Sequence, residues 1–226
     1  MRTLAAGLAP GLVTGVVVGG LGSRLAMRAL AMTSPAARGF ETNFGATVGD
    51  VTPSGTLALL IIGGVVGMFG GLLFLAIRGL LPRSPWLGGL VFGLVLLALS
   101  GRLLVDPNNL DFVILSPLPL AVALFGALPV VFGLCYVQLA HRVEPVIKRT
   151  RRIGLLTVLV VVGLAPMALL GEFGVLVLGS AALVAWLGPS VTPQVRRTVR
   201  AVGACLLAGL VVWRGAVFVA GLIDLF

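Results

Sequence analysis

The chain reads as all-α, a polytopic transmembrane bundle of seven helices with its N-terminus in the cytoplasm and its C-terminus outside. Three observations predict this. First, 59% of the residues are apolar and only 10% charged, against about 45–50% and about 25% in a soluble domain; mean hydropathy is +1.17. Second, apolar runs of about 20 residues, each able to cross roughly 30 Å of hydrocarbon, recur along all 226 residues. Third, the basic residues collect in alternate short segments between those runs, as the positive-inside rule requires.

The first run, Leu4 to Leu21, follows Arg2 and is longer than the apolar stretch of a secretory signal, so it reads as a retained helix over 4–31. Runs bounded by Pro, Arg or Asp predict further helices over 55–81, 86–105 and 119–140. Beyond them lie 153–170, 173–187 and 201–222. Since 173–187 gives only about 23 Å of helix at 1.5 Å per residue, the pair 153–187 reads either as two crossings or as a re-entrant hairpin. Both return the chain to the side it left.

With that threading, eleven basic residues fall on one side: Arg2, Arg78, Arg83, Arg142, Lys148, Arg149, Arg151, Arg152, Arg196, Arg197 and Arg200. They face the single acid Glu144. The other side holds Arg24, Arg28, Arg38, Arg102 and Arg214 with Glu41, Asp50, Asp106, Asp111, Glu172 and Asp224. The first side is therefore expected to be cytoplasmic. The net charge of +9 is accounted for by this pattern and does not point to nucleic acid. The basic loops suit anionic lipid, at about 1 kcal/mol per charge near the surface. Lys148 is the only lysine, and the Arg, Ala, Gly, Val and Leu bias suggests a GC-rich bacterial genome and so a bacterial plasma membrane.

Gly7, Gly11, Gly15, Gly19 and Ser23 form a ladder of small residues at spacing four, and Gly63, Gly67 and Gly71 form another. Lipid supplies no hydrophobic force to join helices, so close backbone approach at such ladders is what holds them; the ladders serve internal packing or a homo-oligomer or membrane partner. Pro10, Pro129 and Pro166 inside the runs predict kinks. Residues Gly11 to Leu25 align without a gap on Gly89 to Leu103, matching at eight of fifteen positions, which predicts a tandem repeat of a helix pair, 1–81 and 82–142.

Ionisable groups within a span are costly and mark sites by default. Arg214 lies deep in the last run; Arg102 stands one turn before Asp106, and Arg24 and Arg28 repeat that spacing. The candidate binding residues at the outer side are Arg24, Arg28, Arg102, Asp106, Asn108, Asn109, Asp111, Glu172 and Arg214. Guanidinium forks match carboxylate and phosphate in bidentate fashion, so this group either binds or moves an anionic solute or lipid head group, or pairs internally to brace the helices.

Other chemistry is excluded or unsupported. His141 is the only histidine, so a two-histidine metal or haem site cannot be built within the chain. Lys148 lies in a basic loop, which rules out a retinal Schiff base. Ser100 and His141 fall near opposite ends of their runs and cannot form a serine–histidine pair. Gly-rich stretches lack Walker Lys-Ser/Thr chemistry, no cofactor is expected, and no enzyme motif is present. Cys135 and Cys205 lie within apolar runs and are expected to be buried, inert thiols.

Overall fold

The computed structural model describes residues 2–33, 39, 52–104, 117–149 and 193–223. These residues are helical apart from short turns, and no strand occurs among them. The first element is a single long rod in three parts: α1 (Arg2–Thr14), a π-helical segment (Gly15–Leu21) and α2 (Gly22–Thr33). It is followed by α3 (Pro53–Ile77), α4 (Pro85–Leu104), α5 (Leu118–Arg149) and α6 (Pro193–Ile223). Three helices are long and apolar enough to cross a membrane, namely Gly7–Thr33, Pro53–Ile77 and Leu118–Val143; Pro85–Gly101 and Ala208–Ile223 are shorter apolar helices. The runs 153–170 and 173–187 and the candidate residues Asp106, Asn108, Asn109, Asp111 and Glu172 lie outside the described residues.

Local chemistry sets the helix ends. Thr52 caps α3, its hydroxyl accepting from the Gly55 N–H at 3.3 Å, and Pro53 fills the first turn, where its missing N–H costs nothing. The helix therefore starts two residues before the expected Gly55. It ends at Ile77, where the Leu80 N–H turns back to the Ile77 carbonyl at 2.8 Å, ahead of Pro82, a residue that cannot donate to a helix. α5 runs to Arg149, past the expected end at Ala140, and α6 begins at Pro193 rather than at 201. In both cases the apolar run stops while the helix continues into polar sequence. Pro10 and Pro129 lie inside continuous helices; Pro166 is outside the described residues.

Two interfaces of glycine organise the bundle. α1 and the π segment run antiparallel to α3, with Gly7 against Gly71, Gly11 against Gly67 and Gly15 against Gly63 and Gly67. A Cβ added to Gly67 would stand under 3.0 Å from the Gly11 oxygen and from the Gly15 nitrogen and Cα. α4 and α5 are also antiparallel, and a Cβ on Gly133 would stand under 3.0 Å from the Gly89 oxygen and from the Gly93 nitrogen and Cα. The two pairs thus use the same three backbone atoms for the same contact. In the π segment, i→i+5 bonding brings residues five apart toward one face. Gly15 and Gly20 both meet Gly63 there, since a Cβ on Gly63 would approach the Gly15 oxygen and the Gly20 nitrogen at 2.6 Å each.

The pairs join through aromatic packing. Phe92 of α4 meets Phe74 of α3 edge-on at 5.3 Å between centroids and lies 5.7 Å from Tyr136 of α5; Phe132 stacks on Tyr136 at 5.7 Å. The Tyr136 hydroxyl reaches the carbonyls of Gly7 (3.1 Å) and Gly71 (3.4 Å), so one phenol ties α5 to both α1 and α3. A buried tyrosine needs a partner for its hydroxyl, and the glycines leave these carbonyls uncovered by side chains.

Helix direction follows from these contacts. The start of α1, the end of α3, the start of α4 and the end of α5 share one end of the bundle. α6 runs parallel to α4, because Gly215 approaches Ala98 while Gly101 meets Phe218, so Pro193 and the basic residues after it also belong to that end. Arg78, Arg83, His141 and Arg142 are exposed there. Along the sides, large apolar residues face outward, among them Leu57, Ile61 and Val66 on α3 and Leu87 and Leu94 on α4. Apolar exposure this continuous suits contact with lipid and would be a liability in water. Cys135 and Cys205 are exposed on this outer surface, contrary to the burial expected; in lipid an apolar run needs no protein cover, so lying in one says nothing of burial.

Candidate functional site

The end of the bundle opposite the basic one is built from the close of α2, Thr52 and the start of α3, the close of α4, the start of α5 and the close of α6. Leu30 and Ala31 of α2 pack with Ala121 and Leu118 of α5 and with Phe218 and Leu222 of α6. Met27 packs with Leu59 and Phe125. These contacts, with that of Gly101 on α4 against Phe218, bring to one end the helices that carry Arg24, Arg28, Arg102 and Arg214.

Arg24 is half-buried, and its Nη2 donates to the Thr52 carbonyl at 3.4 Å. That oxygen also accepts from the Thr56 hydroxyl at 2.8 Å and the Thr56 N–H at 3.0 Å. The guanidinium is thereby held at the point where α3 begins. One turn further on, Arg28 is exposed. Ser23, beside Arg24, donates its hydroxyl to the Gly19 carbonyl, an i→i−4 back-bond of the kind that loosens a helix, here at the close of the π segment.

Arg214 is half-buried on α6, nine residues before the helix ends at Ile223, which is about 14 Å along the axis. Its Cζ lies 5.9 Å from the ring centroid of Trp213, within cation–π range. Trp213 is itself exposed. Arg214 thus lies within the apolar helix Ala208–Ile223, where a guanidinium is costly to bury, and the adjacent aromatic ring offers it a partner. Arg102 stands in the last turn of α4, next to Gly101, which meets Phe218 of α6; its side chain is not among those described.

The structure thus sets the four arginines on helices that share an end. Arg28 faces outward, Arg24 turns to Thr52 and Arg214 lies beside Trp213. Thr52 was not singled out in the sequence, although Thr followed by Pro at the start of an apolar run is a helix-start signal and could have found it. Tyr136 was missed as well. As the only tyrosine, with its hydroxyl inside an apolar run, it carries a legible demand for a polar partner. No family model, curated protein or solved structure matches the chain, so what it does must be argued from these residues.

Proposed function

We propose that the chain is a seven-helix protein of a bacterial plasma membrane, with its basic end in the cytoplasm, that binds or moves an anionic solute or lipid head group at its outer end. The observation that carries this reading is the half-burial of Arg24 and Arg214 within the apolar stretches Gly7–Thr33 and Ala208–Ile223, at the end away from the basic loops. Charge at such depth is costly, and a phosphate or carboxylate offers a guanidinium a bidentate partner. Arg28 and Arg102 would widen the cationic rim, with Asp106, Asn108, Asn109, Asp111 and Glu172 bounding it. Seven crossings are compatible with the parity of the chain, because α5 ends and α6 begins at one end of the bundle, which allows two crossings or none between them. The tandem repeat 1–81 and 82–142 is part of the same reading. It is supported by the matching contacts of Gly67 with Gly11 and Gly15 and of Gly133 with Gly89 and Gly93.

The bond from Arg24 to the Thr52 carbonyl favours a second reading, in which the arginines are internal braces of a structural or assembly subunit. Native mass spectrometry of the gently solubilised protein separates the two. On the binding reading, Arg214→Gln loses a co-purifying anionic lipid or solute and melts within about 1 kcal/mol of the parent, as surface-like polar changes do. Unchanged retention with a marked fall in melting temperature would instead establish the brace.

Sidedness has its own test. Ser54 and Ser84 are both exposed, at opposite ends of α3 and its following loop. In a protein whose native cysteines are replaced by serine, an impermeant maleimide on intact cells should label Ser54→Cys and spare Ser84→Cys. The reverse pattern would invert the orientation.

A further inference from the structure

At the basic end, the turn between α3 and α4 is fixed against the bundle. Leu81 packs on the buried cluster that contains Ile77, Val137 and Ala140, and the Pro82 carbonyl lies so close to α4 that a Cβ on Gly88 would stand 2.8 Å from it. Arg83 follows in this turn, while His141 and Arg142 follow Ala140 on α5, so these three exposed residues belong to one level of the bundle. That level closes an apolar surface. On α4, Trp86, Leu87, Leu90 and Leu94 are exposed while Gly88, Gly89, Phe92 and Gly93 are buried, which makes an outward stripe with Trp86 at its end. On α5, Val131, Cys135 and Arg142 are exposed at spacings of four and seven, so Arg142 ends the outward stripe of that helix. Gly89 meets Gly133 and Leu134, and Gly93 meets Val130. The rings of Phe92, Phe132 and Tyr136 fill one side of this seam, and the two stripes adjoin on the other.

We infer that this surface holds an anionic phospholipid, its phosphate at Arg83, His141 and Arg142, its glycerol beside Trp86 and its acyl chains along Leu90, Leu94 and Val131. Complementarity decides the occupant. Guanidinium groups match phosphate in bidentate fashion, imidazole offers an N–H in either charge state, and an indole suits the head-group level. From Trp86 to Leu94 the stripe runs about 12 Å, close to one leaflet's share of a hydrocarbon core roughly 30 Å thick. A soluble anion would use the charges and leave the stripe idle. The positive-inside rule asks for charge at this end but not for its placement at the head of a lipid-facing stripe. The site is separate from Arg214, because the neighbouring Gly215 approaches Ala98 of α4, twelve residues or about 18 Å from Trp86. It stands whether or not the outer arginines bind anything.

Quenching of Trp86 fluorescence by brominated lipid tests it. The full chain with Trp186→Phe and Trp213→Phe keeps one of its 3 indoles and is placed in phosphatidylcholine nanodiscs that carry either phosphatidylglycerol or phosphatidylcholine with brominated acyl chains. Phosphatidylglycerol should quench at a mole fraction about 25-fold lower, and Arg83→Gln and Arg142→Gln should each reduce that preference about fivefold, the equivalent of about 1 kcal/mol per charge near the surface. Arg83→Lys and Arg142→Lys should keep most of it, and Arg214→Gln should leave it unchanged. Should either glutamine variant fail to fold, the comparison of the two lipids on the one-indole protein needs neither. Equal quenching by the two lipids would mean that the basic residues serve sidedness alone. A preference that survives both glutamine changes would belong to the net charge of this end and not to these residues. A preference abolished by inorganic phosphate, but not by chloride at the same ionic strength, would assign the arginines to a soluble anion. Each of these three results overturns the proposal.

Discussion

Replacing Gly67 with alanine is expected to prevent the folded protein from accumulating, although the change adds one methyl group. The new Cβ would fall under 3.0 Å from three atoms, the Gly11 oxygen and the Gly15 nitrogen and Cα, and all three are backbone. A flexible side chain could rotate away; a helix backbone can yield only by moving the whole of α1 off α3. Overpacking typically costs about 1–3 kcal/mol and occasionally more, and a rigid neighbour puts this case at or above the top of that range. Intrinsic propensity works in the opposite direction, since alanine is better than glycine in a helix by about 1 kcal/mol, so a net loss isolates the steric term. Gly79→Ala is the control, because a Cβ there meets nothing within 4 Å and φ is not in the left-handed region. Membrane yield and melting temperature in detergent report the effect. Equal melting of the two variants would mean that α1 and α3 are not in glycine contact.

The importance of that ladder could be read from the sequence because residues four apart lie on one side of a helix, and five small residues in register make that side a continuous groove. The α4–α5 interface was harder to see. Gly89 and Gly93 keep the spacing, but their partner Gly133 shares its helix only with Gly126, seven residues away, so no ladder at spacing four marks it. Among the described residues the positions of the apolar helices were legible and their ends were not, for a single reason: hydropathy reports the thickness of the apolar solvent, while helix ends are set by groups such as Thr52, Pro53 and Pro193, or by nothing until the polar extension of α5 stops at Arg149. The π segment left no sequence trace, since i→i+5 bonding is chosen by the fit of Gly15 and Gly20 around Gly63. The arginines were recognisable as costly groups, and their shared end followed from counting crossings. Their separate surroundings could not, because whether Arg24 meets Thr52 depends on how α2 is rotated after the π turn.

Phe92→Ala should give the largest loss among side-chain truncations, and it tests how the two helix pairs are joined. Phe92 is fully buried, and its neighbours Phe74 and Tyr136 link α3, α4 and α5, with the Tyr136 hydroxyl extending the link to α1. In a water-soluble core Phe→Ala costs about 3–5 kcal/mol, part of it the transfer of the ring out of water. Lipid is as apolar as the ring, so that part is absent here and the packing and cavity terms remain. At about 24 cal/mol per Å3, roughly 100 Å3 of unfilled space costs about 2.4 kcal/mol, enough to lower the melting temperature markedly while each glycine-locked pair stays together. Phe92→Leu should recover most of the loss by refilling the space. A dry apolar cavity also admits small apolar molecules, so benzene should raise the melting temperature of Phe92→Ala and leave the parent unchanged. A variant that melts like the parent would mean that the pairs are held at some place other than this aromatic junction.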